Sequence, residues 1–299
     1  MDEMVKAHGF EHQQVQHWFA QAEKKQSILD AIARPAEKTK PWKDYRKIFL
    51  TESRTRKGVE FWLRNRDALA RAEQTYGVPA EVVVAIIGVE TRYGHYTGRY
   101  RVIDALSTLA FDYPKRAKFF RKELAQFLLL AREQRQNPLG LKGSYAGAMG
   151  YGQFMPSSFR AYAVDFDNDN LADIWANPTD AIGSVANYFH HHGWQAGQPV
   201  VVRAQVQKNY DREVVNHSLK PRETLSSLLQ KGFRPSADLS PDQLAAAIRL
   251  QGQQGVEFWL GLSNFYVITR YNHSRLYAMA VHQLSQEIKQ AYLRREAQT

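Results

Sequence analysis

The chain has 299 residues, 44% of them hydrophobic and 12% aromatic, enough for one large or two modest packed domains, which excludes a disordered protein. Its 40 Lys and Arg against 30 Asp and Glu give a formal charge of +10; steering of this sign favours an anionic partner such as nucleic acid, anionic lipid or a cell-wall polymer. There is no cysteine, so disulfides, thiolate metal sites and a cysteine nucleophile are excluded. No apolar run approaches the roughly 20 residues that span a bilayer, and the opening Met1-Asp-Glu-Met-Val-Lys6 lacks the basic-then-apolar order of a signal peptide. The basic residues are dispersed in pairs such as Lys24-Lys25 and Arg294-Arg295. Without zinc-finger spacing or an RNP-like motif, nucleic acid is not an expected partner.

Helical spacing of apolar positions in Val15–Ala20 and Val59–Leu63 predicts helices through most of the first 76 residues. Trp42 and Tyr45 are expected in a break marked by Pro35 and Pro41. Gly77-Val-Pro79 stops one helix and Pro79 starts the next, Ala80 to about Tyr93. Val82, Val83, Val84, Ala85, Ile86, Ile87 and Val89 leave that helix almost no polar face, so it reads as a core helix.

A helical stretch from Asp104 to Arg135 follows, broken near Tyr113-Pro114, with Phe119, Phe120, Leu124, Phe127 and Leu128 on its apolar side. The segment Gly140–Gly152 holds five glycines, which permit tight turns and close approach of backbone to a ligand. Asp180–His192 reads as helix. Beyond it, Val200–Val206, Val256–Leu260 and Phe265–Thr269 read as strands, Thr224–Leu229 and Pro241–Leu250 as short helices, and Ser274–Arg295 as a closing helix. The chain is therefore mainly α, with a small α+β segment near its end.

Glu90 ends the apolar core helix. A carboxylate placed among Val84, Ile87 and Val89 would be desolvated, which keeps a proton available for a leaving group. The alternative is an exposed glutamate paired with Arg92 at a helix end. The Gly-rich segment suits a cleft wall, where Ser144, Tyr145 and Gln153 could meet sugar hydroxyl or acetamido groups, while Met149, Phe154 and Met155 could be plain core. No Gly-Lys-Ser/Thr step follows it, so phosphate binding is not implied.

The succession Gly88-Val-Glu-Thr-Arg-Tyr-Gly94, then Ala146-Gly-Ala-Met-Gly-Tyr-Gly-Gln-Phe-Met-Pro-Ser-Ser158, then Asn264-Phe-Tyr-Val-Ile-Thr-Arg-Tyr-Asn272 closely resembles the membrane-bound lytic murein transglycosylase B family over nearly all of residues 40–290. The resemblance implies a lysozyme-like helical core at 77–194, a helical domain at 1–76 completed by about 271–299, and a small α/β domain at 195–270. It implies cleavage of the β-1,4 bond between N-acetylmuramic acid and N-acetylglucosamine without water, the muramic 6-hydroxyl displacing the leaving sugar to give a 1,6-anhydro end. By motif position Glu90 protonates the glycosidic oxygen and then, as carboxylate, takes the proton of that hydroxyl. Ser144, Met149 and Gln153 match positions lining the family's cleft, as do Arg116, Tyr188, Tyr271, Asn272 and Tyr277, with Tyr45 closing one end. Tyr93 stands where the family often has Trp.

Hydrolases of this bond use a second carboxylate, and neither cleft motif holds one; Asp104 and Asp112 are the nearest along the chain. A lysozyme-type muramidase remains the alternative, with a non-catalytic wall-binding protein as a reading of another class. No catalytic cofactor is expected. The run Asp165-Phe-Asp-Asn-Asp-Asn-Leu-Ala-Asp173 places Asp165, Asp167, Asp169 and the Leu171 carbonyl as oxygen ligands for a structural Ca²⁺. Position 12 of such a loop is Ala176, and the family resemblance offers Asp180 as the closing ligand. Asn170 replaces the usual Gly at position 6, and the other reading is a solvated acidic turn capping the next helix. His190, His191 and His192 read as helix-terminus charges. The expected partners are peptidoglycan glycan strands and other cell-wall enzymes, for a monomer working in the periplasm, with membrane contact only through a lipid anchor outside this sequence.

Overall fold

In the computed structural model, which describes residues 2–33 and 40–298, the chain packs as two compact units, one of Met1–Ala36 with Glu90–Asn187 and one of Glu37–Val89 with Tyr188–Thr299. Pro35 lies outside the described residues. This division differs from the threefold one expected, because the first helices are tied to the segment after Glu90. Asp104, 2% exposed, accepts the Glu23 N–H at 2.9 Å and two Arg101 N–H groups at 2.8 and 2.9 Å. Thr108 Oγ1 accepts the Lys25 N–H. Asp104→Ala should therefore lower stability by about 2 kcal/mol, the order expected when buried donors lose their acceptor, as read from urea denaturation.

The first unit is helical. Val102–Asp112 packs on Ala117–Glu133, which buries Phe120, Leu124, Phe127, Leu128 and Ala131 along one stripe. The break expected at Tyr113-Pro114 is a single 3-10 turn, Pro114–Arg116. Helix Pro156–Tyr162 is capped by buried Glu123, whose carboxylate accepts the Ser157 N–H and hydroxyl at 2.9 and 2.7 Å. One short antiparallel pair joins Tyr100–Arg101 to Lys142–Gly143.

In the second unit Trp42 and Tyr45 do not lie in a break. They belong to helix Trp42–Phe49, with Pro41 as its N-cap residue, where the missing proline N–H costs nothing, and Trp42, Tyr45 and Phe49 bury one face. Helix Glu52–Arg64, capped by Thr51, packs on the closing helix Arg275–Glu296. A five-stranded antiparallel sheet runs Glu223–Thr224, Leu244–Gly252, Gly255–Gly261, Val201–Val206, Phe233–Pro235. Its apolar face covers Leu225, Leu228 and Phe233.

Two expectations fail here for one reason. Residues 241–250 read as helix through their alanines, yet Leu244–Gly252 is a strand, zipped to its neighbour from Ala246↔Gly261 to Gly252↔Gly255. Phe265–Thr269 reads as strand through its β-branched run, yet Ser263–Tyr271 is a helix that buries Phe265, Val267, Ile268 and Thr269. Tertiary burial overrides propensities of at most about 1 kcal/mol per residue. No helix among the described residues is long and apolar enough to cross a membrane.

Candidate active site

Glu90 is the penultimate residue of helix Ala80–Thr91 and is half-buried after an unbroken buried run from Val82 to Val89. The helix stops because the next three residues are left-handed: Arg92 at φ 50°, Tyr93 at 63° and Gly94 at 88°. The two non-glycine residues each cost about 1–2 kcal/mol in that conformation, and such strain persists only where surrounding structure enforces it. Here the enforcement is explicit. Thr91 Oγ1 accepts the Gly94 N–H at 3.0 Å and donates to the Tyr151 carbonyl at 3.0 Å, while the Thr91 carbonyl accepts the Tyr96 N–H at 2.9 Å. A Cβ on Gly94 would lie 2.3 Å from the Tyr151 ring, so any other residue here would have to displace that ring as well as adopt the left-handed backbone.

The Gly-rich segment meets the turn as a wall. It folds on itself, Met149 and Phe154 exchanging backbone hydrogen bonds of 2.9 Å and Ser144 N–H donating to Ala148 O at 2.8 Å. Ser144 Oγ accepts the N–H groups of Ala146 and Ala148 at 3.3 and 3.1 Å. Gln153, itself at φ 51°, donates Nε2–H to Thr97 O at 3.1 Å and Gly150 O at 3.0 Å. Segments 91–98 and 143–153 are thus stitched together from both sides.

The first unit therefore brings Glu90, Ser144 and Gln153 onto one assembly, with Ser144 and Gln153 half-buried. Tyr145 is 40% exposed beside them, and Met149 is 0% exposed, so its side chain backs the wall instead of presenting a surface. Arg116 is exposed, its guanidinium 4.3 Å from the Phe119 ring centroid. Arg92 lies over Tyr96 at 5.4 Å. Asp104 is spent on Glu23 and Arg101, and Asp112 pairs with Lys24.

In the second unit Tyr188 and Tyr271 meet edge to face at 4.8 Å, and the Tyr188 hydroxyl donates to Arg270 O at 2.7 Å. Asn272 is exposed. Tyr45 and Tyr277 are 1% and 2% exposed, Tyr45 packing on Trp42 and Phe49, so neither ring offers a free face. A cavity of about 630 Å³ in this unit is lined by His217, Lys220, Arg222 and Ala245–Ala247 among others, and holds none of the expected site residues. Sequence reading passed over Thr91 and Tyr151, although both stand inside the quoted motifs.

The acidic loop gathers Asp165, Asp167 and Asp180, whose carboxylate oxygens lie within 4.8 Å of one another. Asp169 lies outside that group, its Oδ1 accepting the Leu171 N–H at 2.9 Å. Asp180 is fully buried. Burial pushes its carboxyl above the usual range, the Phe166 and Asp173 N–H groups pull it back, and the charges of Asp167 and Asp165 push it up again. Asn168 and Asn170 turn left-handed at φ 65° and 76°, a conformation Asn tolerates well. Among the described residues no histidine joins such a group.

The family described as the transglycosylase SLT domain matches residues 1–286. The membrane-bound lytic murein transglycosylase B of Escherichia coli K12 is 48% identical over 297 residues, 96% of this chain and 81% of the relative. Among solved structures, the soluble lytic transglycosylase SltB1 of Pseudomonas aeruginosa superposes with a TM-score of 0.94 at 57% identity, covering 97% of this chain and 96% of that one. The E. coli lytic transglycosylase Slt35, solved in complex with calcium, gives 0.90 at 48% identity, covering 98% and 92%. SltB3 of P. aeruginosa, solved with NAG-anhNAM-pentapeptide, gives 0.86 at 32% identity, covering 96% and 77%.

Proposed function

The chain belongs to the transglycosylase SLT domain family of lytic murein transglycosylases, and from that premise we propose that it cuts the MurNAc-β-1,4-GlcNAc bond of peptidoglycan with Glu90 as its single acid and base. Glu90 first gives its proton to the glycosidic oxygen, so the bond to the leaving sugar breaks as the muramic C1 becomes oxocarbenium-like. The resulting carboxylate then takes the proton of the muramic 6-hydroxyl while that oxygen bonds to C1. The products are a free GlcNAc 4-hydroxyl and a 1,6-anhydromuramic end, with no water consumed. The relative SltB3 was solved with an anhydro sugar of this kind.

The observation that carries this reading is Glu90 at the end of a buried apolar helix, just before a strained turn stitched to a polar Gly-rich wall. In that wall Gln153 spends Nε2 on Thr97 and Gly150, which leaves Oε1 to accept from a sugar amide or hydroxyl. Ser144 Oγ accepts two N–H groups, which leaves its own proton to donate. Arg116, Tyr188, Tyr271 and Asn272 contribute further sugar or peptide contacts by motif position, while Met149 backs the Gly-rich wall, and Tyr45 and Tyr277 are buried in the second unit. Digestion of purified peptidoglycan tests the reading. Muropeptides with anhydro ends are expected, and reducing ends alone would turn it into a hydrolase.

The substrate puts the enzyme in the bacterial envelope, and we infer a periplasmic setting. The acidic loop fits a structural Ca²⁺, since three converging carboxylates, one of them buried, form an all-oxygen donor set suited to a hard dication; the relative Slt35 was solved with calcium. Asp165, Asp167 and Asp180 would hold it, and Asp169 and the Leu171 carbonyl are further candidates by loop position alone. At a hundredfold excess over its dissociation constant, Ca²⁺ should stabilise the fold by about 2.7 kcal/mol. Differential scanning calorimetry should show Tm falling on chelation and recovering on Ca²⁺ addition, and Asp165→Asn should abolish the response.

A further inference from the structure

We infer that Thr91 is a positioning residue for Glu90, resting on the reading of Glu90 as the acid and base. Thr91 is the residue after Glu90 and is 0% exposed. Its hydroxyl is used in both directions, accepting the Gly94 N–H and donating to the Tyr151 carbonyl, each at 3.0 Å. The first bond holds the left-handed run Arg92-Tyr93-Gly94 that ends the helix directly after Glu90. The second joins the helix end to a point 60 residues further along the chain. Tyr151 is itself anchored, its N–H donating to Ile174 O at 2.9 Å. The hydroxyl therefore fixes Glu90 along its helix axis and against the wall that carries Ser144 and Gln153.

The geometry has a chemical consequence. A carboxyl that must serve first the glycosidic oxygen and then the 6-hydroxyl has two target atoms, and its placement must suit both. A shift of about 1 Å in a catalytic group costs about a hundredfold in rate. A β-branched residue at this position also limits χ1 rotation, so valine keeps the shape and removes the hydroxyl with its hydrogen bonds, while serine keeps the hydroxyl and removes a methyl.

Steady-state kinetics on defined glycan strands, taken well below each variant's Tm, test this. Thr91→Val should lose 10- to 100-fold in kcat with KM within about twofold, and Thr91→Ser should recover most of that loss. A Thr91→Val enzyme with wild-type kcat and only a lowered Tm would overturn the inference, as would Thr91→Ser failing as badly as valine while folded by near-ultraviolet circular dichroism. Failure of the Glu90 reading is separable from both, because it would appear as undiminished turnover in Glu90→Gln.

Discussion

Glu90→Gln should cut turnover of peptidoglycan by roughly 10³-fold while leaving the fold and glycan binding intact. The amide keeps the size and hydrogen-bonding outline of the carboxylic acid but can neither give a proton to the glycosidic oxygen nor take one from the 6-hydroxyl. Since the proposed mechanism uses one group for both transfers, one substitution removes both, and general acid–base groups contribute about 10²–10⁴ each. Glu90 is half-buried at a helix end, and glutamine matches its size, so the exchange should leave the fold in place, as read from thermal denaturation of the variant. Release of soluble muropeptides and co-sedimentation with insoluble wall measure the two properties separately. A variant that neither binds nor cleaves would point to a folding defect, and one that still cleaves would remove Glu90 from the chemistry.

The largest loss of stability should come from Gly98→Ala. Gly98 has φ 106°, and a Cβ there would lie 2.0 Å from the Gly143 carbonyl carbon and oxygen and 2.4 Å from Ser144 N. These are backbone atoms held by the pairing of Tyr100–Arg101 with Lys142–Gly143, so they cannot yield as a side-chain tip would. Overpacking of about 1–3 kcal/mol adds to about 1–2 kcal/mol for the left-handed backbone. The expected total of about 2–5 kcal/mol should appear in urea denaturation with a fall in activity, because Ser144 is displaced with Gly143. Gly193→Ala is the control. Gly193 also has positive φ, at 86°, but nothing lies within 4 Å of its Cβ position, so its cost should stay near 1 kcal/mol. Equal losses at the two positions would show that backbone conformation alone decides, and would remove the close approach of 98 to 143 from the account.

What the sequence made legible follows the range of the interactions involved. Helix Ala80–Thr91 could be read because seven apolar residues in its interior leave one burial pattern open, and Gly77 and Pro79 mark its start. Glu90 and the Gly-rich wall could be read because three motifs in one order carry a family's chemistry. The strand at Ala245–Ala247 was not legible, since alanine favours helix and the pairing that overrules it comes from Glu223, Leu260 and Gly261. Val267, Ile268 and Thr269 misled in the opposite sense, their β-branched side chains being wanted for burial inside a helix. Trp42 and Tyr45 were misplaced because Pro41 was read as a break, although a proline before a helix commonly begins one. The Thr91–Tyr151 bond spans 60 residues, and no local pattern announces it. Burial of Met149, which the sequence left open between core and cleft, and of Tyr45 and Tyr277 could not be decided locally, since aromatic and methionine side chains serve both cores and sugar platforms.

The central claim is that Glu90 acts alone, with the substrate's own hydroxyl in place of water. Digestion in ¹⁸O-labelled water, followed by mass spectrometry of the muropeptides, tests it most directly. Anhydro ends, one water lighter than reducing ends and free of label, are expected. Reducing ends carrying ¹⁸O at C1 would contradict it and show that water completes the reaction.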